Sequence, residues 1–438
     1  PVESEKVFYA LAGEDPQETP PEGTVKEACT RCHSYASFAA QRRTHEEWLM
    51  LGPFHLALYP TLVYQMREMD WPVVAEETLK SLARAFPFDT KEWKTWKAVR
   101  MENSDPKLAG TWRVLGLQPG RGRYAGSLEF KALDNGDYEV ERTVLYEGGD
   151  KESWTGTGIL YSGYDLRIRF DAKGEPAKGV FTLSGNEKKI TGRWHFPGKP
   201  HVAGDETSYR QGGEAKVLRV SPPALKRGSV KARLVIEGIN LPVSLRPQDI
   251  RLGRGVKVIQ IIETKQAGLT LEVEVKESAP VSRRDVSVGV VKKKSLLTIY
   301  DRVDYLQVTP ELGLARVGGM VNPLKGEQFL AIAYSNGKDG LSHTRDDLEL
   351  GPVKTKWSLE EYFYAPNDRD VEFLGNIDEK GLFLPKSEGP NPRRPFQTNN
   401  VGNVWVVATY QSEGEAGEIQ ARAYLLVTVP VYLKKSLR

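Results

Sequence analysis

Apolar side chains recur along this chain with two different periods, and the change falls near residue 108. Before that point the spacing is helical. Thr44-His45-Glu46-Glu47 has the order of a capping box, a hydroxyl followed three residues on by a carboxylate, and it predicts a helix opening at residue 45. Thr24 stands where it would cap a shorter helix running through Lys26 and Glu27 into Cys29. Between Pro72 and Pro87, Ala75, Leu79, Leu82 and Phe86 share one face of a third helix. Proline is tolerated in the first turn of a helix but not in its interior, which sets both limits. A small helical unit is expected over 1–107.

From Leu108 the period falls to two. Leu128 and Phe130 lead into the turn Asp134-Asn135-Gly136-Asp137, and Tyr138, Val140 and Val144 follow on one face, the pattern of a hairpin. Strands are then expected at 166–170, 180–183 and 190–194, separated by turns rich in Gly, Asp and Lys, which suits an antiparallel barrel over 108–214. Gln211-Gly212-Gly213-Glu214 marks a break. Beyond it come Val217 to Ser221, Leu234 to Gly238, the alternation Leu269, Leu271, Val273, Val275, and Val286, Val288 and Val290 as one buried face. That pattern predicts an immunoglobulin-like sandwich over 215–304. The opening Leu218-Arg219-Val220-Ser221-Pro222 is echoed by Leu306-Gln307-Val308-Thr309-Pro310, and strands at 404–410 and 424–429 complete a second such sandwich over 305–438.

Charge and hydropathy narrow the function. Acidic and basic residues nearly cancel, leaving +3, so the chain lacks the basic footprint of a nucleic-acid binder. No stretch approaches the roughly 18 to 20 apolar residues of a membrane span. Pro1-Val2-Glu3-Ser4-Glu5-Lys6 has none of the apolar character of a signal peptide, so the chain reads as soluble and, if exported, already processed. Its two cysteines both lie in one pentapeptide, Cys29-Thr30-Arg31-Cys32-His33, leaving none for a disulfide framework.

In that arrangement two thiols form thioethers with the vinyl groups of haem, and the adjacent imidazole becomes the proximal iron ligand. A zinc site would need further Cys or His ligands, and no second cluster exists. One covalent haem c is therefore expected, in a cytochrome c-like helical domain followed by three all-β domains. The sixth ligand would come from His45, His55, Met50, Met66, Met69 or Met101. His45 reads as a solvated residue on a first helical turn. His55, between Phe54 and Leu56, is the stronger choice, because a buried imidazole needs a partner. Arg42 and Arg43 follow the motif closely, and guanidinium forks suit haem propionates.

Elsewhere the chemistry is sparse. Asn336-Gly337-Lys338-Asp339-Gly340 with Asp346 and Asp347 lacks the ligand alternation of a calcium loop and reads as a solvated turn. His195, His201 and His343 stand apart, without the constellation of a hydrolase. The β domains are thus expected to hold no cofactor or catalytic residue.

Several longer runs carry a resemblance: Cys29 to Ala36, Gln41-Arg42-Arg43-Thr44, Phe54-His55-Leu56, Tyr59-Pro60-Thr61-Leu62, Gln118-Pro119-Gly120-Arg121-Gly122, Gly192-Arg193-Trp194-His195, Tyr300-Asp301-Arg302 and Gln397-Thr398-Asn399-Asn400. Through them the chain resembles the haem-carrying α subunit of quinohaemoprotein amine dehydrogenase. The resemblance implies a periplasmic heterotrimer. In it a small subunit carries a cysteine tryptophylquinone that oxidises primary amines, and a β-propeller subunit packs beside it. The α subunit accepts electrons and passes them to an external cytochrome or cupredoxin. Members of the family carry two Cys-x-x-Cys-His motifs, and this chain matches only the second. That departure keeps open a cytochrome subunit or haem-bearing scaffold of a different periplasmic complex.

Overall fold

The computed structural model describes residues 43–51, 53, 70–85, 108–161, 163–319, 324–363, 369–411 and 417–429. Its helical part contains α1 (His45–Leu49) and α2 (Trp71–Ala85), which pack against each other. The capping box forms as the sequence predicts. Thr44 Oγ1 accepts from the Glu47 N–H at 3.3 Å, and Glu47 Oε2 accepts from the Thr44 N–H at 2.8 Å. Trp48 of α1 and Thr78 and Leu82 of α2 are buried. The expected Thr24 helix lies outside the described residues.

Eight antiparallel strands close into a barrel: β1 (Gly110–Gln118), β2 (Gly122–Ala132), β3 (Tyr138–Tyr146), β4 (Lys151–Tyr161), β5 (Asp165–Ala172), β6 (Glu175–Leu183), β7 (Lys189–Phe196) and β8 (Lys199–Arg210). The closing seam pairs β1 with β8, from Trp112 opposite Arg210 to Leu117 opposite Asp205. Closure removes the exposed sheet edges that an open sheet must protect. The alternation read from the sequence now has its cause: Val140 and Val144 point inward with Trp112, Tyr124, Phe130, Ile168 and Trp194. Burying each such side chain contributes roughly 1.5 to 3 kcal/mol. Rings this large need glycine opposite them. A Cβ on Gly116 would lie 2.1 Å from the Tyr124 ring, and one on Gly204 would lie 2.7 Å from Trp194. Entry and exit of the chain are adjacent, because the Gln211 N–H bonds the Thr111 carbonyl at 2.9 Å and Arg210 Nη1 bonds that of Ala109 at 3.1 Å.

Next come β9 (Lys216–Ser221), β10 (Ala224–Lys226), β11 (Ala232–Ile239), β12 (Ile250–Arg251), β13 (Val256–Lys265), β14 (Gly268–Val275), β15 (Ser282–Val288) and β16 (Val291–Tyr300). They form two four-stranded sheets, ordered β13-β14-β11-β9 and β10-β16-β15-β12. Leu234, Ile236, Leu271 and Val273 meet Val286, Val288, Leu297 and Ile299 between the sheets. Val290 does not share that face. The strand ends at Val288, Gly289 takes φ +58°, and Val290 sits on the turn 99% exposed. Strict alternation in sequence hid the hairpin.

The last unit holds β17 (Tyr305–Thr309), β18 (Leu312–Arg316), β19 (Glu327–Gln328), β20 (Leu330–Ser335), β21 (Leu348–Pro352), β22 (Lys356–Glu361), α3 (Asp370–Phe373), β23 (Gly375–Ile377), β24 (Leu382–Pro385), β25 (Gly402–Gln411) and β26 (Glu418–Thr428). Its sheets run β17-β20-β21 and β18-β26-β25-β22, and a third, β19-β24-β23, lies beyond the two-sheet sandwich expected. The echoed openings both end in a cis proline, at Ser221-Pro222 and Thr309-Pro310.

Side chains fasten these units together. Arg219 of β9 donates to two barrel carbonyls, Gly116 at 3.0 Å and Tyr124 at 2.9 Å, while its Nε pairs with Glu237 at 2.5 Å. His201 of β8 accepts the Gly326 N–H of the last unit through Nδ1 at 3.2 Å.

Candidate functional site

Of the residues singled out by the sequence, Cys29, Cys32, His33, Arg42 and His55 lie outside the described residues, as do Met66, Met69 and Met101. Their donor chemistry nonetheless fits a covalent haem, with two thiols for thioethers and one imidazole beside them for the iron. Arg43, His45 and Met50 are described, and α1 positions all three.

Arg43 precedes the cap Thr44, and its guanidinium carbon lies 5.8 Å from the centre of the Trp48 ring. Met50, at the end of α1, is exposed. His45 departs from its reading as a solvated residue: it is half-buried, and its Nε2 is enclosed with no hydrogen-bond partner among the described residues. The Nε1 of Trp48, three residues on, is in the same condition. Helical geometry puts positions i and i+3 side by side, so these nitrogens belong to one face. Leaving a buried donor unmet costs about 1 to 3 kcal/mol. Sequence reasoning missed Trp48, which in a short helix reads simply as core.

The β domains hold a second, more deeply buried polar cluster. Inside the barrel Glu206 Oε1 accepts from Arg142 Nε at 2.7 Å and from the Tyr124 hydroxyl at 2.9 Å, and it lies 2.5 Å from Arg142 Nη2. Trp194 Nε1 donates to the Tyr124 oxygen at 2.8 Å, and the Arg142 guanidinium carbon lies 4.3 Å from the centre of the Trp154 ring. Burial alone would lower the arginine pKa, but the facing Glu206 carboxylate outweighs it and holds Arg142 charged. Burial, reinforced by the same carboxylate, pushes the Tyr124 hydroxyl well above its ordinary value. The Arg142 and Glu206 side chains are 0% and 1% exposed, so the cluster meets no substrate and acts as an internal clasp.

Among the described residues one group of carboxylates comes within reach of a shared cation, Asp339, Asp346 and Asp347. Each already accepts hydrogen bonds from the loop. Asp347 takes the Gly337 and Thr344 N–H groups and the Tyr305 hydroxyl, Asp346 takes the Lys338 N–H, and Asp339 takes that of Leu341. These donors, Tyr305 foremost, hold the Asp347 carboxyl down to about 2. The loop is built by its own hydrogen bonds. His195 is buried in β7, while His343, at φ +64°, packs 4.3 Å from the Tyr305 ring centre, in a separate element.

Family models match in four consecutive stretches. Residues 1–93 match "Quinohemoprotein amine dehydrogenase A, alpha subunit, haem binding". Residues 105–210, 214–301 and 306–437 match domains II, III and IV of the quinohemoprotein amine dehydrogenase alpha subunit. No curated protein matches the chain. Solved structures align over parts of it at low similarity. A de novo designed fluorescence-activating β-barrel is 18% identical over 24% of this chain and 94% of that one, with a TM-score of 0.20. Human protocadherin-24 EC1-2 is 14% identical over 49% and 96%, with a TM-score of 0.20. A SusE-like surface-located polysaccharide-binding protein from Bacteroides thetaiotaomicron is 12% identical over 67% and 61%, with a TM-score of 0.15. Scores this low carry no weight for function.

Proposed function

Because the chain belongs to the quinohemoprotein amine dehydrogenase alpha-subunit family, with a haem-binding domain at its start, we propose that it is the electron-accepting c-type cytochrome subunit of a periplasmic amine dehydrogenase. The observation that carries this reading is Cys29-Thr30-Arg31-Cys32-His33 inside the stretch matched as haem binding. When bound, haem supplies one-electron chemistry whose potential is set by its axial ligands and its burial. Cys29 and Cys32 tether the group, His33 and His55 hold its iron, and Arg42 and Arg43 balance its propionates. Amine oxidation to aldehyde and ammonia belongs to a cysteine tryptophylquinone on a small partner subunit, beside a β-propeller subunit. An external cytochrome or cupredoxin takes the electrons onward. Among the described residues no helix is long and apolar enough to cross a membrane.

Denaturing electrophoresis with haem staining should leave the band of this chain coloured, and a colourless band would end the cytochrome reading. In the same preparation His55→Ala should turn the ferric spectrum high-spin, or open to an added ligand, while the haem stays attached. An unchanged low-spin spectrum would remove His55 from the iron. A native iron that is already five-coordinate and binds carbon monoxide would point to a haem sensor instead. Intact mass of the natural complex, showing or lacking a quinone-bearing small chain, tests the partner assignment.

A further inference from the structure

The net charge of +3 is unevenly shared along the chain. Residues 214–301 hold 17 Lys and Arg against 9 Asp and Glu, an excess of eight, so the remainder is net negative by five. Five of these cations gather at one end of the β15–β16 hairpin. Arg251 of β12 stands opposite Ser287 of β15, and Ser287 opposite Lys292 of β16, so the three share one face of the sheet. Lys293 and Lys294 follow in β16, both exposed. The Gly289 N–H bonds the Asp249 carbonyl at 2.9 Å, which brings the preceding loop, with exposed Arg246, beside the hairpin turn. Two carboxylates stand among the cations, and both are engaged. Asp285 pairs with Lys292 at 2.7 Å, and Asp249 accepts the Arg246 N–H at 2.8 Å.

The turn between them carries the fully exposed Val290, and the exposed Val243 lies on the neighbouring loop. A Cβ on Gly289 would lie 3.7 Å from Pro242, so the two segments are side by side. The other end of the hairpin abuts the last unit, where Arg283 Nη2 donates to the Asp347 carbonyl at 3.4 Å and Thr298 Oγ1 to that of Glu349 at 3.5 Å. At about 3.3 Å per residue, the strand from Arg283 to Val288 carries the turn roughly 17 Å away from that contact. An aliphatic tip ringed by Lys and Arg is complementary to anionic headgroups lying over a shallow apolar layer. An acidic protein surface fits it less well, because protein interfaces are built round aromatic, Met and Arg side chains and are depleted in Lys. We propose that this end of the domain docks on an anionic lipid bilayer, with Lys292, Lys293, Lys294, Arg246 and Arg251 meeting lipid phosphates and Val290 entering the interface. The same bilayer repels the net-negative remainder, which holds the chain in one orientation.

The full chain is to be sedimented with vesicles of equal parts phosphatidylglycerol and phosphatidylcholine, and with vesicles of phosphatidylcholine alone. It should pellet with the first and not with the second, and added salt should release it, since exposed charges are screened beyond about 10 Å at 0.1 M. Each lysine near an anionic surface strengthens binding about fivefold, so Lys292→Gln/Lys293→Gln/Lys294→Gln should weaken partitioning by roughly a hundredfold. Val290→Asp should also weaken it, with the circular-dichroism spectrum unchanged. Lys216→Gln/Lys257→Gln/Lys276→Gln removes the same charge from exposed positions elsewhere in the domain and should retain most of the binding. Equal loss in the two triple variants would overturn the site and leave only an effect of net charge. Equal pelleting with both kinds of vesicle, or with neither, would overturn the lipid assignment. If the Lys292, Lys293 and Lys294 variant then weakened the natural complex instead, the patch would belong to an acidic protein partner.

Discussion

The barrel and the helical segment treat buried polarity in opposite ways. In the barrel, opposite charges from β3 and β8 meet, and Glu206 draws in Tyr124 and, through it, Trp194. Atoms remain over, Arg142 Nη1 and Glu206 Oε2 among them, but the charge itself is matched. In the helical segment the one polar atom of the Trp48 side chain is enclosed and has no partner among the described residues. The first region matches its buried charge from its own sequence, and in the second no described residue meets that atom. A haem bound to the helical unit would add its binding free energy to the stability of that unit and leave the barrel's own stability unchanged.

The largest test of this contrast removes the cofactor. In Cys29→Ser/Cys32→Ser the haem cannot be tethered, and the helical circular-dichroism signal should fall while the near-ultraviolet signal of the barrel tryptophans is retained. Equal loss of both signals would break the comparison. A smaller effect is expected inside the barrel. Arg142→Met strands a buried carboxylate and should destabilise that domain by about 3 to 5 kcal/mol, whereas Arg142→Met/Glu206→Leu should recover most of the loss. Equal destabilisation by the single and double changes, in urea melts of the full chain, would show that the clasp is not a closed pair.

The smallest effect concerns the join between the barrel and the last unit. Burial, then Lys325 and Lys199, lower the His201 pKa against the opposing pull of Glu327. The folded protein holds this imidazole neutral, as its acceptance of the Gly326 N–H requires. Protonation favours the open or unfolded form, so the contribution of this contact is complete above about pH 6.5 and fades as pH falls from there toward the lowered folded value. His201→Phe should flatten the mildly acidic limb of a melting-temperature profile against pH. A variant with the wild-type slope would show that His201 does not couple the two units.

Much of this was legible because alternation and capping are local signals. The turn Asp134 to Asp137 placed the β2–β3 hairpin, and Thr44 with Glu47 placed α1. What stayed hidden was either too short or too distant. β19, β23 and β24 have 2, 3 and 4 residues, below the length at which a period can be read. Arg142 and Glu206 are 64 positions apart, although Arg142 carried a clue by occupying the inward phase between Val140 and Val144. Cys29, Cys32 and His33 form a readable motif because thioether and iron ligation call for neighbouring residues, and all three lie outside the described residues.

The seam between β1 and β8 has a consequence for how such a protein can change over time. Since Thr111 and Gln211 share a hydrogen bond, the chain leaves the barrel where it entered. Insertions at its turns lengthen the barrel without moving the point where Thr111 and Gln211 meet. The barrel is free to vary in outline while the place where the chain enters and leaves it is inherited unchanged.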